Sequence, residues 1–178
     1  MKKMILWCAT GTCVALLGMT ANPAAADSVR RFSHPNAAGG TSAGVVRRHA
    51  GPEGGATSSR RVLRGDGEGN AVGTSSRAWR TPEGGTGARA GATTRSADGS
   101  LEHRSGFATS GARGSASSQG SLSRDAEGNL TQSRNTNITN AATGNSYQGS
   151  SSYDSATGWS RSGSCFDAAG NAIACPSR

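Results

Sequence analysis

Residues 81–99 read TPEGGTGARAGATTRSADG. The stretch opens on a turn that closes with glycine, runs on without another turn signal, and ends on a second turn that closes with glycine. In Thr81-Pro82-Glu83-Gly84 the threonine hydroxyl can accept a hydrogen bond from the turn backbone. The proline has the right φ for the second position, and the glycine can take the left-handed conformation at the fourth. Ser96-Ala97-Asp98-Gly99 repeats the recipe without proline. A type I turn followed by a left-handed glycine is a three-residue hairpin loop. The ten or so residues between two such loops match a long strand.

The same signal recurs on both sides. Upstream stand Asn36-Ala37-Ala38-Gly39, Gly51-Pro52-Glu53-Gly54 and Asp66-Gly67-Glu68-Gly69. Downstream stand Gly111-Ala112-Arg113-Gly114, Asp125-Ala126-Glu127-Gly128, Ala141-Ala142-Thr143-Gly144, Ser155-Ala156-Thr157-Gly158 and Asp167-Ala168-Ala169-Gly170. The closing glycines step by 15, 15, 15, 15, 15, 14, 16, 14 and 12. Between them, Leu101, His103, Ser105, Phe107 and Thr109 alternate, as do Leu130, Gln132, Arg134, Thr136 and Ile138. No segment after Ala26 carries a helical period. The sequence predicts an all-β fold, a repetitive antiparallel meander of about ten strands joined by three-residue Gly-bulge turns. A β-solenoid with one coil per step is the alternative. The recurrence of Gly51-Pro-Glu-Gly-Gly55 at 81–85 makes a hairpin the repeating unit and favours the meander. A largely disordered chain is the third reading, on composition.

The first 26 residues read as an address. Lys2 and Lys3 precede an uncharged apolar run, Met4 to Met19, followed by Pro23 and Ala24-Ala25-Ala26. The run falls short of the roughly 20 apolar residues of a spanning helix. It has the layout of a secretory signal peptide cleaved after Ala26. The expectation is a periplasmic or secreted chain with no membrane span after signal removal. It divides into one repetitive β region, residues 27–178. Its 27–113 part is Arg-rich. Its 114–178 part is neutral and expected to be the better ordered, since it holds Tyr147, Tyr153, Trp159, Phe166 and a cysteine pair.

Residues 27–178 contain only 14 Val, Leu, Ile and Phe side chains. Ordering each residue costs on the order of 1–2 kcal/mol of backbone entropy, so burial alone cannot hold such a chain. Backbone pairing, small packed side chains, a crosslink or self-association must contribute. Every cation in this region is arginine. Residues 27–113 carry 13 Arg against 7 acids, and residues 114–178 carry 4 of each. This balance suits polyanions, because the guanidinium binds phosphate and carboxylate in a bidentate way. Codon bias in a GC-rich genome yields the same enrichment of Ala, Gly and Arg. The candidate contact residues are Arg30, Arg31, Arg47, Arg48, Arg60, Arg61, Arg64, Arg77 and Arg80. The expected partners are an acidic polymer or envelope surface, with self-association through open sheet edges as a further expectation.

Cys165 and Cys175 flank the last turn at even spacing, which predicts a structural disulfide in an exported chain. With a three-residue loop Cys165 faces Ile173, so the final strand must bend to bring Cys175 within reach. The same logic places Arg161 opposite Tyr153 as a cation–π pair. Gly40-Thr41-Ser42-Ala43-Gly44 matches the Gly-x-Ser-x-Gly elbow but has no following helix. Asp66 to Asn70 and Asp125 to Asn129 resemble the start of a calcium loop. However, Arg77 and Thr136 stand where its bidentate Glu belongs. His34 and His49 share a repeat position, which a meander separates. Trp79 between Arg77 and Arg80 is one aromatic and no stacking platform. No set of acid, base, nucleophile or metal ligands assembles. The reading is a non-enzymatic exported structural or surface-interaction protein without metal or cofactor. The alternatives are a self-assembling fibre or biofilm-matrix subunit and a disordered envelope protein.

With these repeats and the tail Cys165-Phe-Asp-Ala-Ala-Gly-Asn-Ala-Ile-Ala-Cys-Pro176 in view, the chain resembles small exported Gly/Ser/Thr-rich β-repeat proteins of Gram-negative bacteria. The likeness covers about residues 60–178 and implies export and β-repeats, not an activity. A looser likeness is to curlin-type fibre subunits, from which the chain departs in period, arginine load and the absence of regular Gln/Asn ladders.

Overall fold

The structure is a computed structural model that describes residues 27–176. The predicted signal peptide lies outside the described residues. The rest forms eleven strands: β1 Ser28–Pro35, β2 Thr41–Ala50, β3 Ala56–Gly65, β4 Ala71–Arg80, β5 Thr86–Arg95, β6 Leu101–Gly111, β7 Gly114–Arg124, β8 Leu130–Asn140, β9 Ser146–Asp154, β10 Gly158–Phe166 and β11 Ala172–Ile173. They follow one another in a single antiparallel sheet in chain order, not closed into a barrel. Each strand touches only its sequence neighbours, so the sheet is one layer thick and both faces meet solvent. The solenoid reading is excluded by this order. The Arg-rich and neutral parts belong to one unbroken ladder, since β6 and β7 pair over their full lengths.

The turns work as their residues dictate. At 51–55, Gly51 N donates to Gly55 O at 2.7 Å, Gly54 N donates to Gly51 O at 3.2 Å, and Gly54 sits at φ +87°. The loops at 36–40, 81–85, 96–100, 125–129 and 167–171 close in the same way. Two loops depart from the expected length, and a third keeps its three residues but begins one residue early. Gly111 pairs with Gly114, leaving only Ala112 and Arg113 in the loop. Asn140 N bonds Asn145 O, which makes that loop one residue longer. Asp154 pairs with Gly158, because the Asp154 carboxylate, not Ser155, caps the turn by accepting from Ala156 N (2.8 Å) and Thr157 N (3.3 Å).

Directly paired residues of an antiparallel ladder project to one face, and faces alternate along a strand. We call face A the side carrying Arg61, and face B the side carrying Val62. Among the described residues, Val62 and Cys165 are the only buried hydrophobic side chains. What replaces a core is local shielding. The Trp79 ring lies over its cross-strand partner Gly87, and Phe32 over its partner Gly44. Tyr147 covers Gly149 and the facing Gly163, where an added methyl would sit 2.8 Å from the ring. A ring on bare backbone removes apolar area from water without a second layer.

The C-terminal edge is closed by the tail. Cys165 faces Ile173, β11 stops there, and the chain bends so that Cys165 and Cys175 join in a disulfide with Cα atoms 5.2 Å apart. The cation–π expectation is corrected. The loop closes on Asp154 and Gly158, one residue earlier than expected, which slides the register by two residues, so Arg161 faces Ser151 and Tyr153 faces Trp159. The Arg161 guanidinium instead lies 5.2 Å from the Trp159 ring centroid, while Tyr153 and Trp159 pack at 5.1 Å.

Candidate polyanion site

Each Arg-Arg dipeptide straddles the sheet, because adjacent strand residues point to opposite sides. Of the arginines singled out in the sequence, Arg31, Arg47, Arg61 and Arg77 project to face A. Arg30, Arg48, Arg60, Arg64 and Arg80 project to face B. Face A gathers its members into a site. Arg47 pairs with Ser59, Ser59 with Arg77, and Arg77 with Arg89, so four strands present them in one transverse row. Arg61 pairs with Ser75 in the next row. These side chains, with His49 and Thr57, line an open concavity of about 500 Å³. Arg89 is not among the arginines that the sequence singles out. The turn centred on Glu83 holds the signal, since folding about it lays Arg89 against Arg77.

Asp27 also lines the concavity, where it pairs with His49, and among the described residues no ion pair joins a carboxylate to these arginines. Among the described residues the ion pairs are His49 with Asp27, at the rim of the concavity, and Arg104 with Glu102 (2.6 Å) on face B. Of the acids, only Glu102 and Asp154 lie within strands, and both belong to face B. The rest sit in turns or, for Asp27, just ahead of β1. The turn aspartates serve the backbone. Asn70, Asn129 and Asn171 side chains donate to Asp66, Asp125 and Asp167 and hold those carboxyls below their ordinary value, with turn N–H groups adding to the effect. Arginines placed directly opposite repel, and the exposed Arg77–Arg89 pair keeps that repulsion unanswered.

The other sequence motifs resolve as follows. Ser42 is buried inside β2 opposite Arg64 and His34, in extended backbone rather than at an elbow. Asp66 Oδ1 accepts from Glu68 N and Asn70 N, and Asp125 is engaged by Asn129 in the same way. Both calcium-like stretches are therefore hydrogen-bonded turns. His34 lies on face B near one end of β1, and His49 on face A near the far end of β2. No protein-family model, curated protein or solved structure matches the chain.

Proposed function

We propose that this chain is a non-enzymatic, exported structural or surface-interaction protein that holds a polyanion through its Arg-rich half. The observation that carries the reading is the convergence of Arg47, Arg61, Arg77 and Arg89 on one concavity of face A, with no carboxylate among the strand residues of that face. Serine and threonine hydroxyls between them supply neutral donors. The disulfide is compatible with an oxidising compartment. Binding of this kind is electrostatic and weakens with salt. Retention on an immobilised sulfated polymer tests it. The oxidised chain is expected to bind at low ionic strength and to elute with rising salt. A variant with Arg77 and Arg89 both changed to Gln is expected to elute at markedly lower salt. Equal elution of variant and parent, or no retention of the parent, would refute the reading.

A further inference from the structure

The arginines of face A do not stop at the Arg-rich half. Reading the ladder transversely from Arg31, the paired residues are Val45, Arg61, Ser75, Gly91 and Ser105. The row continues through Gly120 to Arg134 on β8, Ser151 on β9 and Arg161 on β10. The neighbouring row holds Arg47, Arg77 and Arg89, then Phe107, Ser118 and Thr136. Seven arginines thus occupy the two central rows of one face. Six of them are exposed and Arg134 is half-buried.

Bulkier side chains flank these rows. On one side run Leu63, His103, Leu122 and Tyr153, all in register. On the other run His49, Trp79, Ile138 and Tyr147. Between them the floor is small, with Ser75, Gly91, Ser105 and Gly120 following one another on β4 to β7. Tyr147 lies over Gly149 and Gly163 and closes the second row at β9 and β10, which leaves the first row as the way out, past Arg134 and Arg161. At the spacing of paired strands, β1 to β10 measures about 43 Å across.

From this arrangement we infer that face A is a transverse trench for a single extended chain of acidic polysaccharide, lying perpendicular to the strands. The inference rests on the polyanion reading above and extends it over the whole sheet. Arginines would pair with the carboxylate or sulfate groups, and the Ser and Gly floor would let sugar rings approach the backbone and bond to hydroxyls. A single-stranded nucleic acid fits less well, because it needs an aromatic surface for successive bases. Here the aromatics are interrupted. Trp79 and Phe107 lie on β4 and β6, none follow on β7 or β8, and Trp159 already carries the Arg161 guanidinium. A second copy stacked face to face would set like charges against like.

Binding of ionised galacturonate oligomers tests the trench, with the oxidised full chain. Affinity per molecule is expected to rise about tenfold or more between a dimer and an oligomer long enough to reach from β1 to β10, as further contacts are added. Arg31→Gln and Arg161→Gln, at opposite ends, are each expected to weaken the long oligomer severalfold and leave the dimer unchanged. Arg161→Lys is expected to restore most of the loss. An unchanged far-ultraviolet circular dichroism spectrum excludes misfolding as the cause. If the end variants bind the long oligomer like the parent while Arg77→Gln loses it, the site is confined to the concavity; the trench is then wrong and the polyanion reading survives. If no galacturonate oligomer binds and no sulfated polymer is retained, both fail. A single-stranded oligodeoxynucleotide that outcompetes a galacturonate oligomer of equal charge would overturn the choice of ligand.

Discussion

The two faces of β7 to β10 are built by the same strands and differ almost completely. Face B presents Ser117, Gln119, Ser133, Asn135, Ser150 and Ser162 among mostly small polar side chains, with Asp154 and Phe166 at the strand ends. Its hydroxyls bond sideways across strands, Ser121 to Ser133 at 3.0 Å, Ser123 to Thr131 at 2.6 Å and Ser150 to Ser162 at 2.7 Å. Face A presents Leu122, Ile138, Tyr147, Trp159 and three arginines, Arg124, Arg134 and Arg161. It shields them against glycines, against one another and in one buried polar knot. In a single layer neither face is a core. The comparison teaches that such a sheet gains stability in two ways: apolar rings flattened on bare backbone, and polar rows satisfied laterally with little burial. The first should matter more per residue.

The largest expected effect breaks a ring off its glycine. Gly87→Ala places a methyl where the Trp79 ring lies, and should cost about 1–3 kcal/mol through overpacking or loss of the ring contact. Gly73→Ala, on the same face of the neighbouring strand, meets only a Leu63 methyl at 3.8 Å. It should be neutral or stabilising by roughly 0.5 kcal/mol through reduced chain entropy. Urea unfolding of the two variants reads the difference. If they shift alike, the rings contribute nothing specific and the contrast between faces collapses.

A smaller effect comes from one serine on each face. Ser118 on face A is 5% exposed and accepts from Arg134 Nη1 and Thr136 Oγ1, both at 3.1 Å. Ser118→Ala leaves those half-buried donors without an acceptor and should cost roughly 1–2 kcal/mol. Ser150→Ala on face B removes one exposed hydroxyl pair and should cost at most about 0.5 kcal/mol. Equal losses in thermal unfolding would show that lateral pairing on face B does as much as burial on face A.

These contrasts were only partly legible in the sequence. The strands and turns were, because Asp, Asn, Thr or Ser followed by glycine at fixed spacing has a mechanism behind it. Face membership was legible from β1 to β6, where equal loops carry one parity through every strand. It was lost at Gly111–Gly114, which is one residue shorter than the repeat. It was regained at Asn140–Asn145, which is one residue longer. A one-residue change moves every following side chain to the other side. Uniform loops would have put Leu122, Arg134 and Ile138 on face B, which would take Arg134 out of the transverse row. Arg161 would still fall in the row of Arg61 under uniform loops, opposite Tyr153 instead of Ser151. The signal for the third exception was present in Asp154, whose carboxylate caps its turn one residue ahead of the expected Ser155.

The smallest effect tests where the pH response resides. The strand residues of face A carry no carboxylate, and arginine keeps its charge at any pH a folded protein meets. Acid sensitivity should therefore come from the turns at the rims. Asp66, Asp125 and Asp167 have carboxyls held below the ordinary value of 3.8, first by the Asn70, Asn129 and Asn171 side chains. A depressed carboxyl contributes stability that is present above its unfolded pKa and is lost as pH falls through the folded one. Stability should thus hold as pH is lowered to about 4 and decline below it. Asn129→Ala, by removing the strongest of the hydrogen bonds to Asp125, should flatten that decline and barely move the midpoint near neutrality. Asp125 is exposed and Asp66 and Asp167 are only half-buried, so the change is the least of those expected here. A steep loss between neutrality and the ordinary carboxylate range would place the sensitive groups elsewhere.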